Sequence, residues 1–84
     1  MPTQVTVKLF GPQAKLAGQE AVALTLDAAA PTCRDVRAAL AEAQPALTAS
    51  LPGSRLAVNH EYADDDQRVS ADDEVALIGM IGGG

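Results

Sequence analysis

"EVALIGMIGGG", Glu74 to Gly84, ends the sequence on an apolar run that passes straight into three glycines. Val75 and Leu77 alternate with Ala76 and Ile78, the period of two expected of a strand with one buried face. The glycines cannot serve stability, because glycine loses more backbone freedom on ordering than any other residue. A strand over Glu74–Ile78 that delivers its chain directly into a bare tail therefore puts the fold's last regular element and its point of action next to each other.

The upstream elements fit around such a strand. In "QVTVKLF", Val5, Val7 and Leu9 alternate with Thr6, Lys8 and Phe10, which predicts a first strand ended by Gly11-Pro12. "QAKLAGQ" predicts a helical turn or loop stopped at Gly18, and "EAVALTLD" resumes the alternation through Val22, Leu24 and Leu26, closing a hairpin with the first strand. "PTCRDVRAALAEA" predicts the main helix, with Thr32 as N-cap and Asp35 at capping-box spacing. Val36 and Leu40 form its apolar stripe, Ala39 and Ala43 flank that stripe, and Pro45 limits the helix. "ALTAS" adds a short turn, Pro52-Gly53 reverses the chain, "RLAVN" supplies a third strand, and a short irregular strand follows near Glu61 and Tyr62. The order β-β-α-β-β with a final strand carrying the C-terminus predicts an α+β fold of the β-grasp type: a mixed sheet with one main helix across it. The expected organisation is a single domain over residues 1–78 and a tail over residues 79–84.

Composition narrows the partners. The chain has 84 residues, 48% hydrophobic but 2% aromatic, so the core must be built from Val, Leu, Ile and Ala. Its net charge is −5 and its six basic residues are scattered, which argues against nucleic acid, since phosphate binding needs clustered Lys and Arg. Seven of the acids lie between Glu61 and Glu74, a solvated surface or a patch that steers the tail towards a basic groove. No apolar run approaches the roughly 20 residues of a membrane span, and the N-terminus does not read as a signal peptide. With its lone Cys33, the chain is expected to be a cytoplasmic protein. Cys33 is expected to pack, and His60, without spaced metal ligands, to sit at the surface; no metal site is expected.

Six residues from Gly79 to Gly84 can span roughly 20 Å when extended, at about 3.3–3.6 Å per residue. Without Cβ atoms at Gly82, Gly83 and Gly84, the walls of a second protein can close to backbone width around the tail. At this point the sequence resembles a known family. "RLAVNHEYADDDQRVSADDEVALIGMIGGG" resembles the C-terminal half of the small, sulfur-carrying subunit of molybdopterin synthase, and "VKLFGPQAKLAG" resembles that family's first strand and turn. The motifs are Asn59 after the third strand, an acidic turn leading into "DEVALI", and the terminal Gly83-Gly84.

The resemblance implies a ubiquitin-like sulfur carrier of the MoaD and ThiS type. In that family an E1-like adenylating enzyme uses ATP to activate the terminal glycine, which is then converted to a thiocarboxylate. The tail enters the large synthase subunit, in a heterotetramer, and gives sulfur to cyclic pyranopterin monophosphate. Carried over, Gly84 is the acyl carrier, Gly82 and Gly83 its narrow neighbours, and no cofactor is bound by the carrier itself. Carriers for thiamine or cysteine biosynthesis share the tail chemistry, and a ubiquitin-like binding module that is never activated would share the fold. Two departures stand out: Gly79 and Met80 occupy the place of the prolines common in relatives, and Ala71-Asp72 replaces the usual Asp-Gly turn.

The docking face follows from parity. The alternation that sends Val5, Val7 and Leu9 inward sends Phe10 outward, and Val75 and Leu77 inward leaves Ile78 outward. In a β-grasp sheet the first and last strands are parallel neighbours, so Phe10 and Ile78 should form one exposed apolar patch at the root of the tail, with Tyr62 as a third member. Met80 and Ile81 are expected to join the contact as the tail enters its partner, Met80 adapting to fill a pocket.

Overall fold

The computed structural model describes residues 2–79. Strand β1 (Thr3–Leu9) is followed by helix α1 (Gly11–Ala17), β2 (Ala21–Leu26), helix α2 (Cys33–Ala43), two 3-10 turns (Pro45–Leu47 and Leu51–Gly53), β3 (Ser54–Val58), β4 (Glu61–Tyr62) and β5 (Val75–Gly79). The sheet order is β2-β1-β5-β3-β4, with β1 and β5 parallel at its centre and every other pair antiparallel. This is the β-grasp fold that the element order predicts.

Strict alternation builds one layer of core. Val5, Val7 and Leu9 of β1, Val22, Leu24 and Leu26 of β2, Leu56 and Val58 of β3, and Val75 and Leu77 of β5 are all buried on the face that α2 covers. From α2 the stripe is Cys33, Val36 and Leu40, at helical spacing, joined by Leu47 and Leu51 from the two turns. Ala39 and Ala41 pack against this cluster, whereas Ala43, expected to flank the stripe, is exposed in the last turn. The start of α2 is fixed by the predicted capping box: Asp35's amide donates to Thr32 Oγ1 at 3.3 Å and Thr32's amide donates to Asp35 Oδ2 at 3.0 Å.

Two expectations are corrected. "GPQAKLA" is a full helix rather than a turn or loop, because Pro12 presets the first turn and Gly18, in the left-handed region at φ 72°, ends it by donating its amide to Ala14 and Lys15 carbonyls. The last strand is Val75–Gly79 rather than Glu74–Ile78. Glu74 is taken out of the ladder by Asn59, whose side-chain Oδ1 accepts its amide at 3.0 Å, and Ser54 at the start of β3 pairs with Gly79 at the other end. Among the described residues no helix is long and apolar enough to cross a membrane.

Candidate functional site at the end of the last strand

The helices lie on one face of the sheet, and among the described residues no element covers the opposite face where β1, β5, β3 and β4 meet. The register pairs Lys8 with Ala76 and Leu9 with Leu77, so Phe10, still extended at φ −134°, continues alongside Ile78. Arg55 stands opposite Ile78 on β3 and Tyr62 opposite Ala57 on β4. Phe10, Tyr62 and Ile78 thus line one shallow groove with the small Ala57 and Ala76 as its floor and Lys8, His60 and Glu74 at its rim. Phe10 and Tyr62 are 54% and 55% exposed, too much for two aromatics whose role is to fill a core.

The rim is ordered by charge. Glu74 Oε2 accepts from Lys8 Nζ at 3.3 Å and lies 3.5 Å from His60 Nε2, while the Arg55 guanidinium sits 5.1 Å from the centre of the Tyr62 ring and 3.6 Å from Asp64. Cys33 is buried in the core, where it packs, and burial, with Asp65 nearby, pushes its thiol above the ordinary value. His60 is at the surface, with a positive φ of 72°.

The acidic run is the solvated surface its composition suggests, and three of its carboxylates also meet arginines. Asp64, Asp65 and Asp66 face Arg55, Arg37 and Arg34 in turn, at 3.6, 3.2 and 3.2 Å, so the loop before β5 is tied to β3 and α2. Such exposed pairs are each worth about 0–1 kcal/mol. Asp73 ties the turn itself: its carboxylate accepts from Ser70's amide at 2.9 Å and from Asn59 Nδ2 at 3.1 Å. Asn59 adopts φ 54° and donates its own amide to the Glu74 carbonyl at 2.7 Å, which gives this family-motif residue a physical role as the clamp that launches β5.

Ser70's amide, then Asn59's side chain, hold Asp73 below the ordinary carboxylate range. A folded value below the unfolded one, about 3.9, means that the stabilisation is present above that pH and is lost as pH falls through the folded value. Asp73→Asn is therefore expected to melt below wild type near neutrality, with the gap closing as acid protonates Asp73. Thermal melts across the acid range check this; a gap independent of pH would assign the turn's stability to something other than that charge.

At the end of β5 the structure adds residues that the sequence reading passed over. Gln13 of α1 is buried, its Nε2 donating to Ser54 Oγ at 2.6 Å, and Ser54 Oγ donates in turn to the Ser50 carbonyl at 2.7 Å. With Phe10, Leu16, Ile78 and Gly79 they line a second, more apolar groove on the α1 side of the strand end. The signal was a glutamine one turn before Ala17 on the inner side of α1, legible only if that segment is first taken as a helix. Of the predicted site residues, Phe10, Tyr62 and Ile78 are brought together; Met80, Ile81, Gly82, Gly83 and Gly84 lie outside the described residues. Among the described residues no three His, Cys, Asp or Glu side chains are grouped so as to hold a metal ion.

Comparison with known proteins bears on the family and the fold. The model of the ThiS family matches residues 7–84. The molybdopterin synthase sulfur carrier subunit of Dictyostelium discoideum is 29% identical over 86 residues, covering 100% of both chains. The crystal structure of small archaeal modifier protein 1 from Haloferax volcanii superimposes with a TM-score of 0.84 at 29% identity, over 96% of this chain and 99% of that one. A complex of subunits 1 and 2 of the molybdopterin-converting factor from Helicobacter pylori shares the fold at a TM-score of 0.65 and 22% identity, over 96% of this chain and 99% of that one.

Proposed function

The chain belongs to the ThiS family of ubiquitin-like sulfur carriers, and from that premise we propose that it carries sulfur for molybdopterin synthesis on the carboxyl group of Gly84. The observation that supports this most is continuity: the family match runs through Gly84, and the chain reaches those glycines from a central strand whose end is flanked by an exposed apolar patch. Activation is by an E1-like enzyme. The Gly84 carboxylate attacks the α-phosphate of ATP, pyrophosphate leaves, and a sulfur nucleophile then displaces AMP to give the thiocarboxylate. The bare tail enters the large synthase subunit, two carriers and two large subunits forming the complex, and the thiocarboxylate donates its sulfur to cyclic pyranopterin monophosphate. The carrier needs no cofactor of its own, since ATP is consumed by its activating enzyme. Full-length homology to a molybdopterin synthase sulfur carrier subunit supports this acceptor over those of thiamine or cysteine synthesis.

Incubation with ATP, a cognate activating enzyme and a sulfur donor tests the reading. The expected product shows the mass change of one oxygen replaced by sulfur at the C-terminus, and it converts the pterin precursor only when the large subunit is present. A chain that stays at its original mass is not a carrier. Likeness to a small archaeal modifier protein favours a second reading, in which the same activated carboxyl is transferred to a protein amine; this would appear as a larger adduct stable to reducing agents.

Docking is assigned to Phe10, Tyr62 and Ile78, with Met80 and Ile81 extending it. Aromatic anchors buried on association commonly cost about 2 kcal/mol or more on truncation, so Phe10→Ala is expected to weaken binding to the large subunit by roughly 30-fold. Because Phe10 is already exposed in the free chain, melting should change little. Unchanged affinity in a calorimetric titration would place the docking face elsewhere.

A further inference from the structure

Along β5 the inward side chains are Val75 and Leu77, each locked into the core. The next inward position is Gly79, where no side chain exists to anchor the strand. A glycine there leaves the backbone free to take many directions at the end of the described strand. The space is filled instead by Gln13. A β-carbon built on Gly79 would lie 3.5 Å from Gln13 Nε2 and 3.6 Å from both Cδ and Oε1, near-equal distances that set the carboxamide plane face-on to the strand end.

Gln13 is itself held. Its Nε2 donates to Ser54 Oγ, and Ser54 is both the register partner of Gly79 on β3 and anchored to the Ser50 carbonyl. The ladder between β3 and β5 does nothing to fix the last residue. Asn59's amide bonds the Glu74 carbonyl, and hydrogen-bonding pairs recur at alternate steps, at Ala57 with Ala76 and Arg55 with Ile78. Ser54 and Gly79 are therefore a non-bonded pair whose amides face away from each other. Filling the gap required only volume, which a leucine or methionine would supply without burying an amide. A buried polar group tied to the opposite strand supplies direction as well.

The geometry points to Gln13 as a positioning residue that fixes the direction in which the chain leaves β5 at Gly79, and so aims the tail. Its consequence for sulfur transfer rests on the carrier function proposed above; its effect on Gly79 does not.

Gln13→Met keeps the volume and removes the hydrogen bond to Ser54, and Ser54→Ala releases the same bond from the other side with α1 unchanged. In either variant the backbone order parameter of Gly79, from nitrogen relaxation, is expected to fall from about 0.85 to below about 0.6 while Leu77 stays rigid. Single-turnover sulfur transfer from the thiocarboxylated variant to the large subunit is expected to slow on the order of 10- to 100-fold, since misplacement of about 1 Å has that effect. The concentration of large subunit at half saturation is expected to hold, because the Phe10, Tyr62 and Ile78 patch is untouched. Adding Gly79→Ala to Gln13→Met, which narrows the backbone freedom there and puts a methyl group into the space beside residue 13, is expected to recover much of the rate. A residue that merely packs would not be rescued by stiffening Gly79. Gly79 remaining ordered in both variants, or a double variant as slow as the single one, overturns the assignment. A wild-type chain that never gains sulfur removes the carrier reading alone, since the relaxation measurement still decides what Gln13 does.

Discussion

Removal of Gly83 and Gly84 is expected to abolish sulfur transfer while leaving the melting temperature of the domain nearly unchanged. Every residue of the described core lies between Val5 and Leu77, and the last ladder pair among the described residues is Ser54 with Gly79, so the deletion takes nothing from the described core or its sheet pairing. What it removes, in the proposed function, is the reacting group itself. The new terminus would be Gly82, two residues short, and at about 3.3–3.6 Å per residue the carboxylate would stop roughly 7 Å before the position it must reach. A shortfall of that size is far beyond what a catalytic geometry tolerates. The check is a pair of measurements on one preparation: thiocarboxylate formation by intact mass and a thermal melt. A substantial drop in melting temperature would make the tail a structural element and remove the basis for placing the chemistry there.

Gly84→Ala is the finer experiment, because it retains length and carboxylate and adds one methyl group. Docking, assigned above to the groove lined by Phe10, Tyr62 and Ile78, is expected to hold. In the proposed function, activation requires the carboxylate to lie within attack distance of the ATP α-phosphate, and the three-glycine ending suits a channel closed to backbone width. If the methyl displaces the carboxylate by about 1 Å, the loss is on the order of 100-fold in rate. ATP-pyrophosphate exchange by the activating enzyme reads that step, and binding of the same variant to the large subunit serves as control. Exchange at the wild-type rate would show that the channel is wider than glycine requires, and the three-glycine ending would need another explanation even with the family assignment intact.

What the sequence by itself determined was whatever depends on near neighbours in the chain. The alternation of Val5, Val7 and Leu9, of Val22, Leu24 and Leu26, and of Val75 and Leu77 sets which face of each strand is buried, because successive side chains point to opposite sides. The capping box from Thr32 to Asp35 sets the start of α2 within three residues. Even the Phe10 and Ile78 patch was legible, since parity within two strands and their parallel pairing suffice to place it.

Tertiary structure decided the rest, and in each case because the partner lies far along the chain. Helix α1 has seven residues, too few to declare themselves by periodicity, and exists by packing inward at Gln13, Ala14 and Ala17. The acidic run reads as free charge until the fold sets Asp65 against Arg37, 28 residues away, and Asp66 against Arg34, 32 away. Gln13 meets Ser54 across 41 residues, so the contact that holds the root of the tail leaves no mark in the sequence around either of them. Local pattern fixes how a segment presents its faces; only closure of the sheet and helices into one core fixes which distant faces come to share a boundary.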